Sequence, residues 1–128
     1  MGRVRETAVS VRFVGDDLDP DEVTGLLGAD PDVAHRKGDA MPKGRGTWRT
    51  GVWSCQALRL SPGDLDTQIA GLFARMSQDL TAWTDLSRRY RGDLFCGLFL
   101  ADGNEGITLS VDTMRAISER CLELDLDI

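Results

Sequence analysis

From Thr7 to Gly15 apolar and polar positions alternate, with Val9, Val11 and Phe13 on one side and Ser10 and Arg12 on the other. A period of two sends successive side chains to opposite faces of a sheet, so the segment predicts a half-buried strand. Asp19-Pro20-Asp21-Glu22 then offers a capping carboxylate, a proline at the first helical position and a glutamate that reaches back to the cap. Val23, Leu26 and Leu27 form an apolar stripe and Gly28 supplies a left-handed stop, which predicts a short helix. A short strand is expected from Val33 to Lys37. The glycines and Pro42 between Gly38 and Gly46 predict a loop, and Thr47 to Leu60 predicts a strand, bent or bulged at Gly51.

Leu65, Ile69, Leu72, Phe73, Met76, Leu80, Trp83 and Leu86 recur three or four residues apart, the period of one long amphipathic helix. Arg88, Arg89 and Arg91 suit its negative end, and Gly92 marks its exit. Leu94 to Ala101 is apolar at nearly every position and is expected to be a central strand covered on both faces. After a turn at Asp102 to Gly106, Ser110 is placed to cap a helix from Val111 to Arg120 with Val111, Met114 and Ile117 inward. Leu122, Leu124, Leu126 and Ile128 then alternate with Glu123, Asp125 and Asp127 in a closing strand. The element order β-α-β-β-α-β-α-β predicts an α+β domain over residues 1–128, one mixed or antiparallel sheet backed by helices as a variant of the ferredoxin-like sandwich.

The 128 residues suffice for a single core without staples. The apolar runs are shorter than a membrane helix needs and the first residues lack the apolar stretch of a signal peptide, so the expectation is a soluble, cytoplasmic chain with no membrane partner. Cys55, Cys96 and Cys121 are odd in number and widely spaced, and His35 is the one histidine, which argues against a disulfide framework and a zinc site. All three cysteines have apolar neighbours and are expected to act as small hydrophobes. A net charge of -6 disfavours a nucleic-acid partner. The charge is unevenly spread. Residues 16–32 are acidic without a basic residue, whereas Arg36, Lys37, Lys43, Arg45 and Arg49 face only Asp39 over residues 35–49.

Together, GDDLDPDEVTGLLGADPDVAHRKGD, GTWRTGVWS, LFCGLFL and LSVDTMRAISERCLELDLDI resemble a bacterial family of domains of unknown function, the one numbered 4279, over nearly the whole chain. The resemblance implies a small domain with no assigned activity, so it transfers no catalytic residue and no cofactor.

The residues themselves carry none of the hydrolase, zinc-protease, nucleotide-loop or dinucleotide signatures. Asp17, Asp19 and Asp21 mimic the opening of a calcium loop, but the position that needs glycine holds Glu22, so helix capping explains them better. Asp125 and Asp127 share one strand face, where charge guards a sheet edge against aggregation. Trp48 and Trp53, five apart, are expected on opposite faces, so that one can be exposed beside the basic residues. Tryptophan and arginine dominate interface hot spots. Arg36, Lys37, Asp39, Arg45, Trp48, Arg49 and Trp53 are therefore the candidate partner- or ligand-binding residues, with no catalytic residue, metal or cofactor assigned. The function expected is a non-catalytic protein-binding module, such as an immunity-type or inhibitor protein, whose acidic surface (Glu22, Asp30, Asp32) steers a basic partner. The alternative is a protein that binds a small anionic ligand, or an enzyme, using the Arg36, Lys37 and Trp53 region. A homodimer through the terminal strand is the third arrangement considered.

Overall fold

The computed structural model describes residues 4–103 and 105–128. The elements run β1 (Glu6–Gly15), α1 (Pro20–Leu27), β2 (Val33–His35), β3 (Gly51–Gln56), α2 (Leu65–Ala74), α3 (Leu80–Arg89), β4 (Arg91–Phe99), α4 (Val111–Glu119) and β5 (Glu123–Asp127). The strands form one sheet in the order β2-β3-β1-β4-β5, antiparallel except for the parallel pair β4 and β5. This is the expected α+β class. The first four strands interleave two split βαβ units in the ferredoxin-like order, and α4 carries the chain over to add β5 at the edge.

The alternation of β1 is realised as read. Val9, Val11 and Phe13 are fully buried, in one cluster with Trp53 and Cys55 of β3, Leu94 and Cys96 of β4, and residues of all four helices. The core thus lies on one face of the sheet, and the opposite face carries no helix among the described residues. α1 begins at its predicted cap, with the Asp19 carboxylate accepting from the Asp21 N–H and Gly28 ending it at φ 70°, but Glu22 pairs with Arg89 instead of reaching back to the cap.

Several expectations are corrected. The long helix is two helices, because residues 75–79 satisfy their backbone outside a helix. Ser77 N–H donates to Leu27 O at 2.7 Å, Gln78 Nε2 donates to Phe73 O and Met76 O, and Asp79 caps α3 by accepting from Thr81 N–H. Side-chain competition for backbone groups breaks a helix while the apolar spacing runs on. Gly92 is not a helix exit but the second residue of β4, where a Cβ would come within 2.7 Å of the Phe13 ring. β4 is covered on one face only. On the other, the Arg12 guanidinium lies 4.3 Å from the Phe95 ring centre and that of Arg59 lies 5.0 Å from that of Phe99. Finally, α4 buries Thr113 and Ile117 while Val111 and Met114 stay exposed.

Gly51 opens β3 opposite Gly15 instead of bending a longer strand. Cys55 and Cys96 are buried as expected, whereas Cys121 is exposed at φ 58° just beyond α4. Among the described residues no helix is long and apolar enough to cross a membrane.

Candidate functional site

The glycine-rich segment between β2 and β3 is folded, not loose. Gly38 N–H donates to Trp48 O, Trp48 N–H donates to Asp39 O, and Met41 N–H donates to Gly46 O, each at 2.8–2.9 Å. Ala40 pairs with Thr47 in the same register in which His35 pairs with Val52. The tip is a single 3-10 turn at Pro42–Gly44, where Lys43 takes φ 60°. The hairpin therefore keeps the register of β2 and β3 across a turn at residues 36–39 and is tied by its own backbone bonds.

In this register Trp48 lies beside Asp39, and the turn at residues 36–39, closed by the Asp39 N–H donating to Arg36 O, brings the indole onto His35. Their rings stack with centroids 3.9 Å apart and planes 8° from parallel. Beside them lies a cleft of about 680 Å³ lined by His35, Met41, Arg45, Trp48, Arg49 and Val52, with Gly46, Thr47 and Thr50 completing the wall. No carboxylate lines it. Lys43, Arg45 and Arg49 make no ion pair among the described residues, and a smaller hollow of about 290 Å³ sits among Met41, Pro42, Lys43, Arg45 and Trp48. His35 Nδ1 is buried and without a hydrogen-bond partner among the described residues.

The candidate residues divide. Arg45, Trp48 and Arg49 meet at this cleft. Arg36 and Lys37 do not. Arg36 bridges Asp19 at 2.8 Å and Asp21 at 3.0 Å, and Lys37 reaches Asp16 at 3.4 Å. The acidic run and the first half of the basic run thus neutralise each other across the start of α1. Asp39 is a turn residue, its carboxylate accepting from the Arg36 N–H at 2.7 Å. Trp53 is fully buried, donating to Thr24 Oγ1 from Nε1 at 3.1 Å and packing against Phe13. It is the core member of the tryptophan pair, so the region of Arg36, Lys37 and Trp53 is not a single surface. Of the acids expected to steer a partner, Glu22 pairs with Arg89 at 2.5 Å and Asp32 accepts from the Gln56 N–H at 2.7 Å.

His35, Met41 and Val52 join the site through pairing alone. The sequence held no signal for the pairing of His35 with Trp48, which stand at unequal distances from the Pro42-Lys43-Gly44 turn.

Val52 also borders a second hollow of about 360 Å³ on the open sheet face, with Arg12, Val14, Arg91, Asp93 and Asp125. Here Arg12 grips Asp93 through Nε and Nη2, both at 2.8 Å, with Asp125 at 3.3 Å. These charges satisfy one another. The thiols stay out of both hollows. Burial pushes Cys55 up despite the nearby Arg75, and burial followed by the charges of Asp125 and Asp93 pushes Cys96 up to about 11. Among the described residues no three His, Cys, Asp or Glu side chains gather to hold a metal.

No curated protein and no solved structure matches the chain. The sequence pattern of one family, described as "Domain of unknown function (DUF4279)", matches residues 5–128. That span takes in every strand and helix of the sheet, the hairpin and its cleft included, and the chain belongs to this family.

Proposed function

We propose that the chain is a binding module whose β2–β3 hairpin receives an anionic group, a carboxylate or phosphate, carried on a flat apolar body. One observation carries this reading: Arg45 and Arg49, without ion pairs among the described residues, border the same cleft as the stacked Trp48 and His35. Guanidinium groups match the oxyanion through parallel N–H donors, and the indole offers apolar surface to the body of the ligand. A cleft of about 680 Å³ is of the size that small ligands occupy. The site offers recognition and no assembled nucleophile or general base, since His35 lies flat on Trp48 and has no orienting partner among the described residues. Of the acids in the acidic-steering reading, Glu22 pairs with Arg89, while Asp32, which accepts from a neutral N–H, and Asp30 have no ion pair among the described residues.

The test is a titration with phenyl phosphate, inorganic phosphate and phenol, followed by Trp48 fluorescence and calorimetry. Phenyl phosphate is expected to bind more tightly than either fragment, and the double variant Arg45→Ala, Arg49→Ala is expected to lose it with its thermal melt unchanged. Equal binding by that variant, or no binding of any probe, overturns the proposal.

A further inference from the structure

β5 stands at one end of the strand order and pairs with β4, and its outer edge has no strand partner among the described residues. Its side chains separate by chemistry. Leu124 and Leu126 pair with the buried positions Leu94 and Cys96 and so face the helix side, while Glu123, Asp125 and Asp127 face the open side. α4, alongside, leaves Val111 64% and Met114 49% exposed, and Leu126 is 46% exposed. One free edge thus presents backbone donors and acceptors between an apolar row and a row of carboxylates.

We propose that this edge docks an extended segment of another protein in which apolar residues alternate with lysine or arginine, added to the sheet as a sixth strand. An unpaired edge templates such addition through its main chain, and the alternate side chains give it specificity. The alternation on β5 requires the same alternation in its partner, apolar toward Leu124 and Leu126 and basic toward the acids. The acids are not fully answered from within. Arg12 reaches Asp125 at 3.3 Å but is gripped by Asp93, Arg91 approaches Glu123 only to 3.7 Å, and Asp127 has no ion pair among the described residues. The same charges reject a second copy. Antiparallel pairing about a two-fold axis at Asp125 would set Asp125 against its copy and Glu123 against Asp127, and like charges directly opposite destabilise a ladder. The site stands at the other end of the strand order from β2 and its hairpin, so it neither needs nor tests the anion cleft.

The experiment uses two heptapeptides, one alternating lysine and valine and one alternating glutamate and valine, with amide hydrogen exchange and a salt series as readouts. The lysine peptide is expected to slow exchange along β5 and to bind more weakly as salt rises. In the variant Glu123→Lys, Asp127→Lys it is expected to bind at least about tenfold more weakly, with the glutamate peptide now preferred. Both substitutions are at exposed positions, and Asp127→Asn alone is the milder check should the pair perturb folding. Failure of the lysine peptide to protect β5, or equal binding of both peptides, overturns the proposal. Protection of β5 in the peptide-free protein at a dimeric mass also overturns it, in favour of a second copy.

Discussion

The guanidinium of Arg120 lies 4.4 Å from the ring centre of Phe73, inside the core. Trp83 is beside it, with its ring centre 5.5 Å away. Arg120 has no carboxylate partner among the described residues. Nη1 donates to Ala116 O in the last turn of α4, Nη2 donates to Gln78 Oε1, and Nε has no partner among the described residues. Burial lowers its pKa from the ordinary arginine value, with Glu119 opposing. The cation is held by two aromatic faces and a helix C-terminus in place of an acid.

Arg120→Ala is therefore expected to lower the unfolding free energy by about 2–3 kcal/mol, and Arg120→Lys to recover little of it, since an ammonium cannot lie flat on the rings while reaching both oxygens. Urea denaturation checks this. A lysine variant as stable as the parent would show that charge alone matters there.

The two tryptophans of the hairpin region are expected to behave oppositely. Trp53→Ala empties the centre of the core and should cost about 3–5 kcal/mol. Trp48→Ala should change stability by no more than about 1 kcal/mol while removing phenyl phosphate binding. Paired melts and titrations decide whether the division between core and cleft is right.

Arg36→Ala breaks ion pairs whose members are all largely exposed, so its cost should stay below about 1 kcal/mol and shrink with salt. Uptake of the anionic probe should persist. Loss of uptake without loss of stability would place Arg36 in the cleft after all.

Cys96 gives a pH dependence of fixed sign. Its folded pKa, about 11, lies above the ordinary thiol value of 9.0, so folding favours the protonated form. The stability this contributes is complete below pH 9 and is lost as pH rises through 11. The parent should destabilise more steeply over that window than Cys96→Ala does. At neutral pH a thiol reagent should label exposed Cys121 at once, and Cys55 and Cys96 only on unfolding.

Gln68 is a buried polar residue that the apolar spacing of α2 did not announce. Its Nε2 donates to Thr7 O at 2.8 Å and Leu58 O at 2.9 Å, and its Oε1 accepts from the Thr7 hydroxyl. Gln68→Leu leaves these groups wanting and should cost about 2 kcal/mol by denaturation. An unchanged midpoint would mean that water takes over the bonds.

Local signals were legible where the structure is made locally. The alternation of β1 and of β5, and the caps at Asp19 and Ser110, act within a few residues and read directly from the chain. The break between α2 and α3 did not, because both helices feed the same buried cluster and the apolar period crosses the gap undisturbed. Val111 and Met114 misled for a related reason: their spacing with Ile117 is helical, but α4 sits over the edge strand, where little remains for its outer side to pack on. At the site, the sequence picked out Arg45, Trp48 and Arg49. It also grouped them with Arg36 and Lys37, since nothing local reveals that Asp16, Asp19 and Asp21 fold back onto those two.

β1 sits between β3 and β4, so that Val11 faces Cys55 on one side and Leu94 on the other. A chain leaving the ribosome can lay β3 along β1 once residue 56 is free, yet the second edge of β1 waits for residues 91–99. Throughout that interval of synthesis the strand that organises the finished core is a half-satisfied template, open to any other nascent strand that meets it. The time that residues 57–90 take to emerge thus sets how long one edge of β1 is exposed to mispairing.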